Sequence, residues 1–342
     1  NSQTHGRPPV SIEGTFMPAH ATSRPGMVTL RHVIVSCCCA RERFTPSTNV
    51  VTVPNGGFRA SVDGGYPSGW KTRNMPEFAH DDVTINYTVV GEGPRVLFFN
   101  GSGATLESSA PFINALSKTC TVLAHDQRGL GKTSVPDGPY TMAMYADDGA
   151  ALLDHVGWDE CAVVGMSFGG MVAQEFAVRH GRRVRRLALL CTSAGGPAGS
   201  SFPLHELAAL PPAERPDRIT LLTDSRWTPG FLAENPLDAA IVAARDAGAR
   251  VEKSAEVLRG ERLQLQARIG HDVSTRLGGV RAPTFVMAGR YDGIAPVANS
   301  EAIVSLMSDA RMRIYEGGHL FTAQDRAAMV DLRAFLVDGT RP

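Results

Sequence analysis

Short apolar runs alternate with helical patterns along the chain from Val83 onward. Runs such as Leu97-Phe98-Phe99 and Ala162-Val163-Val164 are apolar at every position, as expected for parallel strands that are buried on both faces. The alternation of strands and helices predicts a doubly wound, mostly parallel sheet. The predicted strands cover residues 83–90, 95–100, 121–125, 160–165, 185–191, 284–289 and 311–315, and the predicted helices cover residues 107–118, 142–156, 168–180, 297–307 and 322–336.

The alternation is interrupted between residues 196 and 270, where several helical segments are separated by prolines. Proline ends a helix because it lacks a backbone N–H and restricts the residue before it. A helical insertion between two strands is most simply a cap over one end of the sheet. We therefore assign residues 75–195 and 271–342 to an α/β core and residues 196–270 to a helical cap.

Residues 1–74 differ from the rest of the chain. They are rich in Pro, Gly, Ser and Thr, carry 8 Lys or Arg against 3 Asp or Glu, and show no sustained periodicity. Such a composition predicts a flexible leader before a catalytic domain that starts near Met75. Because the segment is basic and rich in hydroxyl groups, a transit peptide is the alternative interpretation.

Composition limits the partners of this protein. The 342 residues have a formal net charge of +0, so there is no electrostatic reason to expect nucleic acid or an anionic membrane as a partner. No stretch approaches the roughly 18 apolar residues of a membrane span. The six cysteines form no CxxC pair, which favours a reducing, cytoplasmic location. The sequence gives no indication of oligomeric state.

The most informative local motif is Gly165-Met166-Ser167-Phe168-Gly169, a GxSxG turn between a predicted strand and a predicted helix. In that context the serine lies on a sharp turn at the carboxyl end of the sheet, with its hydroxyl exposed. The backbone is strained there, so the neighbouring residues must be small. We therefore predict that Ser167 is a nucleophile.

A serine hydroxyl needs a base and a group that orients the base. His319 follows the last predicted strand and a Gly-Gly pair, and Asp292 follows the strand before it. The order Ser, Asp, His, with each residue after a different strand, is the one expected of this architecture. We therefore assign His319 as the base and Asp292 as the acid that orients it.

The oxyanion of the tetrahedral intermediate needs backbone donors. The residue after the nucleophile, Phe168, supplies one N–H at the start of a helix. A second N–H is expected from the loop Asn100-Gly101-Ser102-Gly103, which follows the strand 95–100. We assign it to Ser102 and call residues 100–103 the oxyanion loop.

These motifs together resemble the α/β-hydrolase family from Val83 to the C-terminus. The segment from His125 to Gly131 is similar to the family's Asp-x-Arg-Gly-x-Gly loop, which implies a scaffold role for Asp126 and Arg128. Two positions depart from the family pattern. Met166 stands where many members have His or another polar residue, and Asn100 stands where the oxyanion loop often begins with His.

With serine as the nucleophile, the resemblance implies acyl transfer to water without a cofactor. The sequence Gly131-Lys132-Thr133 lacks the earlier glycine of a phosphate-binding loop, because Asp126 occupies that position. The ten histidines show no HxxxH or HExxH spacing, so we predict no metal site.

Substrate choice is expected to depend on the cap. Met166, Trp227 and Phe231 are the candidate pocket residues. The motif pattern resembles the small-ester and enol-lactone hydrolases, which implies a small ester or lactone as substrate. A carbon–carbon bond hydrolase with the same triad is one alternative, and a ligand-binding receptor of the same fold with slow catalysis is the other.

Overall fold

The computed structural model of the protein describes residues 75–211 and 213–342, so the predicted flexible leader, residues 1–74, lies outside the described residues. Eight strands form one sheet in the order β1-β2-β4-β3-β5-β6-β7-β8. The strands are β1 (Glu77–His80), β2 (Val83–Val90), β3 (Arg95–Phe99), β4 (Thr121–His125), β5 (Cys161–Met166), β6 (Val184–Leu190), β7 (Thr284–Gly289) and β8 (Ala310–Tyr315).

The sheet is mostly parallel, as predicted. β4, β3, β5, β6, β7 and β8 run parallel to one another. β2 is antiparallel to both β1 and β4. The sequence did not predict β1, a four-residue edge strand with alternating exposed and half-buried residues, because so short an edge segment lacks the continuous apolar run of a buried strand.

The described residues form ten α-helices in addition to the sheet. They are α1 (Ala110–Leu116), α2 (Met142–His155), α3 (Phe168–Arg179), α4 (Arg215–Thr223), α5 (Pro229–Glu234), α6 (Pro236–Ala249), α7 (Ala255–Ala267), α8 (Val297–Leu306), α9 (Phe321–Gln324) and α10 (Arg326–Asp338). The C-terminal helix, predicted as continuous, is two helices. They meet at Asp325, whose side chain accepts a hydrogen bond from Ala327 N and caps α10.

The strand order places the functional loops. β3 lies between β4 and β5, so the chain leaves β3 in one direction and later returns on its other side. Ligands of open α/β sheets bind at the carboxyl ends of the strands at such a switch point. Phe99 pairs with Gly165 at the ends of β3 and β5. The oxyanion loop and the Ser167 turn, which follow these strands, are therefore neighbours.

Between β6 and β7 the chain forms four α-helices, α4 to α7, and several short 3-10 helices. We call the segment 196–270 the inserted segment. It is helical, as predicted, while its boundaries and its role as a cap stay a prediction. No helix in residues 75–211 and 213–342 is long and apolar enough to cross a membrane.

The loop after β4 is held by buried polar contacts. Asp126 accepts hydrogen bonds from Leu106 N at 2.6 Å and from Lys132 N at 3.0 Å. Arg128 forms a bidentate pair with Asp148 at 2.8 and 2.9 Å, and both side chains are 3% exposed. These contacts satisfy buried charges within the core, in agreement with the scaffold role that the resemblance implied for Asp126 and Arg128.

Candidate active site

Ser167 lies at the tip of a strained turn between β5 and α3. Its φ of 53° and ψ of −116° are unusual for a residue with a side chain. A Cβ added to Gly165 would lie 2.3 Å from Gly169 O, and one added to Gly169 would lie 2.1 Å from Phe99 O. No side chain fits at either position, so the two glycines make this turn possible.

Ser167, His319 and Asp292 form one chain of hydrogen bonds. His319 Nε2 lies 2.9 Å from Ser167 Oγ, and His319 Nδ1 lies 2.7 Å from Asp292 Oδ2. An ionised carboxylate can only accept, so Nδ1 carries the proton and Nε2 presents its lone pair to the serine hydroxyl. This is the tautomer that a general base requires.

Asp292 is buried and firmly oriented. Its Oδ1 accepts hydrogen bonds from Ile294 N and Ala295 N, both at 2.8 Å. The side chain itself is 0% exposed, while that of His319 is 12% exposed. With Oδ1 bound to two backbone donors, Oδ2 is left to hold the imidazole.

The oxyanion loop contacts the serine turn. A Cβ added to Gly101 would lie 3.7 Å from Ser167 Cβ. Within the described residues, neither Ser102 N–H nor Phe168 N–H donates a hydrogen bond to another residue. Both backbone donors are therefore unpaired, as an oxyanion hole requires, and their assignment to that role stays a prediction.

A residue that the sequence did not indicate holds this loop. Gln264 of α7 is 0% exposed, and its Oε1 accepts a hydrogen bond from Gly103 N at 2.8 Å. The helix approaches closely at Gly260, where an added Cβ would lie 1.8 Å from Gly129 O. The inserted segment is therefore in direct contact with the oxyanion loop. Nothing in the local pattern of α7 distinguishes Gln264 from its neighbours.

Cys191 lies beside the acid and the base. Its sulfur, an Asp292 oxygen and a His319 nitrogen lie within 4.8 Å of one another, a spacing that the ligands of a metal ion would also need. Both oxygens of Asp292 are already engaged, Oδ1 by Ile294 N and Ala295 N and Oδ2 by His319 Nδ1. The acid and the base are thus bound to each other, an arrangement that fits a catalytic pair rather than a set of metal ligands.

The three candidate pocket residues occupy different environments. Met166 is half-buried at the end of β5, beside Ser167. Trp227 is 2% exposed, and its indole N–H donates to Asp238 Oδ1 at 2.7 Å. Phe231 is half-buried with the Arg226 guanidinium 5.1 Å from its ring centre. Trp227 thus packs within the inserted segment, and the assignment of all three to a substrate pocket stays a prediction.

Comparison with known proteins identifies the family of this chain. Residues 94–324 match the α/β-hydrolase fold family. A poly(3-hydroxyalkanoate) depolymerase from Ectopseudomonas oleovorans is 30% identical over 232 residues, which are 66% of this chain and 78% of the relative. A 3-oxoadipate enol-lactonase from Acinetobacter baylyi is 26% identical over 250 residues, which are 72% of this chain and 90% of the relative.

A solved structure is similar as well. The enol-lactonase from Burkholderia xenovorans LB400 is 25% identical, with a TM-score of 0.61, over 77% of this chain and 99% of that structure. The chain therefore belongs to the α/β-hydrolase fold family, and it is a hydrolase.

Proposed function

We propose that the protein hydrolyses a small carboxylic ester or lactone through an acyl-enzyme on Ser167. The observation that carries this proposal is the continuous hydrogen-bonded chain from Ser167 Oγ through His319 to Asp292, with distances of 2.9 and 2.7 Å. The similarity to a depolymerase and to enol-lactonases supports an acyl substrate of this kind.

The proposed reaction has two halves. Ser167 Oγ attacks the carbonyl carbon while His319 Nε2 takes its proton, and the N–H groups of Phe168 and Ser102 bind the oxyanion. The intermediate then expels the alcohol oxygen, which receives the proton from His319. Water, deprotonated by His319, attacks the acyl-enzyme and releases the acid and free Ser167. Asp292 stabilises the imidazolium in both halves, and no cofactor is required.

The sequence is also compatible with two other functions. Cleavage of a carbon–carbon bond in a vinylogous diketone uses the same triad, so it differs only in the substrate. A ligand-binding receptor needs no aligned base, and the aligned His319 therefore favours catalysis. The proposed substrate is a small molecule. The three described cysteines are free and buried, which is consistent with the cytoplasmic location that we propose.

Hydrolysis of p-nitrophenyl acetate and butyrate tests the proposal, with Ser167→Ala as the matched control. We expect turnover by the wild type, reaction of a fluorophosphonate probe at Ser167, and neither in the variant. Folded wild-type protein that shows neither turnover nor labelling would instead support the receptor. A panel of esters, lactones and vinylogous diketones then separates hydrolysis of an acyl–oxygen bond from hydrolysis of a carbon–carbon bond.

A further inference from the structure

The segment Leu222 to Ser225, which begins in the last turn of α4, lies between the two loops that carry Asp292 and His319. Leu222 O accepts a hydrogen bond from Gly293 N at 2.9 Å, and Thr223 O accepts one from His319 N at 2.6 Å. Ser225 N donates to Tyr291 O at 3.0 Å. The backbone of the inserted segment is therefore bonded to both neighbours of the acid and to the base itself.

The close contact between the inserted segment and the loop of His319 requires a residue without a side chain at position 318. A Cβ added to Gly318 would lie 2.1 Å from Thr223 O and 2.6 Å from Asp224 Cβ. A backbone atom cannot move away as a flexible side chain can, so glycine is required at residue 318. The loop that carries His319 is thus fitted closely against the inserted segment.

Gln324 of α9 completes the connection. Its Oε1 accepts a hydrogen bond from Gly318 N at 2.8 Å. Its Nε2 donates to Asp224 Oδ2 at 2.8 Å and to Asp238 Oδ1 at 2.7 Å. These partners define the orientation of the Gln324 amide, because the N–H of Gly318 requires an acceptor and the carboxylates of Asp224 and Asp238 require donors. Among the common side chains, only a primary amide offers one acceptor and two donors in this arrangement.

The two acceptors are themselves fixed. Asp224 is 0% exposed and receives a bidentate pair of hydrogen bonds from Arg226, at 3.0 and 2.7 Å. Asp238, on α6, also accepts the Trp227 indole N–H at 2.7 Å. Gln324 therefore joins the loop of the base to a hydrogen-bonded cluster of two carboxylates and one guanidinium within the inserted segment.

We propose that Gln324 is a positioning residue for His319, and that the inserted segment holds the acid and the base in register through it. The inference rests on the proposed function. Removing the amide frees Gly318 N, and His319 is the next residue. A displacement of about 1 Å in a reacting group can lower the rate by about 100-fold. We therefore expect a fall in kcat with little change in KM, because the amide oxygen and nitrogen of Gln324 are bonded to protein groups.

The test compares Gln324→Met with Gln266→Met, which replaces an exposed glutamine on α7. With p-nitrophenyl butyrate, we expect Gln324→Met to lower kcat about 10-fold to 100-fold and to leave KM nearly unchanged. Gln266→Met should match the wild type. Gln266→Met should unfold at the wild-type temperature, whereas Gln324→Met should unfold at a lower one, because Gly318 N and the two carboxylates lose a partner. Activity is therefore measured well below both unfolding temperatures. A Gln324→Met protein with wild-type kcat, or one that changes only KM, would overturn the proposal.

Gln324→Glu adds a pH-dependent readout that loss of packing alone does not give. Its carboxylate would face Asp224 and Asp238, with Arg226 already paired to Asp224. Protonated Glu keeps one donor, whereas the ionised form repels both acids. The ratio of wild-type to variant kcat should therefore rise with pH, and a constant ratio would contradict the inference.

If the wild type proved inactive, the proposed function would fail while the positioning role stayed testable. The Nδ1 proton of His319, observed by NMR, reports its hydrogen bond to Asp292. Loss or broadening of that signal in Gln324→Met, with an unchanged signal in Gln266→Met, supports the role. A signal in Gln324→Met that equals that of the wild type overturns it.

Discussion

Replacing Asp292 by Asn should reverse the tautomer of His319 without disturbing the fold. Asp292 Oδ1 accepts from Ile294 N and Ala295 N, both at 2.8 Å. An amide NH₂ cannot occupy that position, because it would face two donors. The amide oxygen of Asn therefore takes the place of Oδ1, and its NH₂ group takes the place of Oδ2, facing His319 Nδ1.

The consequence for catalysis follows directly. With a donor opposite it, Nδ1 must be the unprotonated nitrogen, so Nε2 carries the proton and points at Ser167 Oγ. The base can then no longer accept the serine proton. We expect kcat to fall about 10⁴-fold, which corresponds to about 5 kcal/mol of transition-state stabilisation at 1.36 kcal/mol per factor of ten.

The assay is hydrolysis of p-nitrophenyl butyrate, with thermal unfolding measured on the same samples. Asp292→Asn should keep nearly the wild-type unfolding temperature, because both backbone hydrogen bonds to Oδ1 survive. Asp292→Ala is the contrasting variant, since it leaves two buried N–H groups unpaired at about 1–3 kcal/mol each. A folded Asp292→Asn protein with less than a tenfold loss of kcat would refute this reasoning and place the acid elsewhere.

Three further predictions concern Gly169, Gln264 and His125. Gly169→Ala should abolish activity and lower the unfolding temperature, because the new methyl group would lie 2.1 Å from a backbone oxygen. Gly181→Ala, whose methyl group would have no atom within 4 Å, should do neither. Equal unfolding temperatures of the two variants would contradict this prediction. Gln264→Met should lower kcat about tenfold or more by freeing the oxyanion loop, while Gln266→Met does not, and equal kcat values would show that the loop needs no such support. Burial lowers the pKa of His125 from 6.5 to about 4, so below pH 6.5 the unfolded state binds the proton first and stability falls towards pH 4. In urea titrations, His125→Leu should remove about 1.4 kcal/mol per pH unit of this slope, and an unchanged slope would exclude His125 as its source.

The central sheet could be predicted because parallel strands buried on both faces carry an unmistakable apolar run. β4 and β7 have the predicted bounds. β1 was missed because an edge strand with exposed residues carries no such run. The break at Asp325 was missed because apolar spacing continues across it, while the cap that starts α10 depends on one side-chain hydrogen bond.

The candidate site likewise contains residues that the sequence predicted and residues that it did not. The structure brings Ser167, Asp292 and His319 into contact, as the order of strand ends led us to expect, and their catalytic roles remain our proposal. Gln264 could not be found from the sequence, because it bonds to a residue 161 positions away. The same limit applies to Trp227. Its aromatic character suggested a pocket wall, but a sequence does not show that its indole donates to Asp238.

The order of the strands along the chain also implies that the nucleophile is in place before its base during folding. Ser167 follows β5, whereas Asp292 and His319 follow β7 and β8. β7 joins the sheet by pairing with β6 at Leu187 and Thr284, which closes a loop of roughly 100 residues, a slow step compared with local contacts. A growing chain would therefore carry an inert serine until its last strands dock. The rate at which Ser167 becomes reactive towards a fluorophosphonate would then measure how fast the last strands complete the fold.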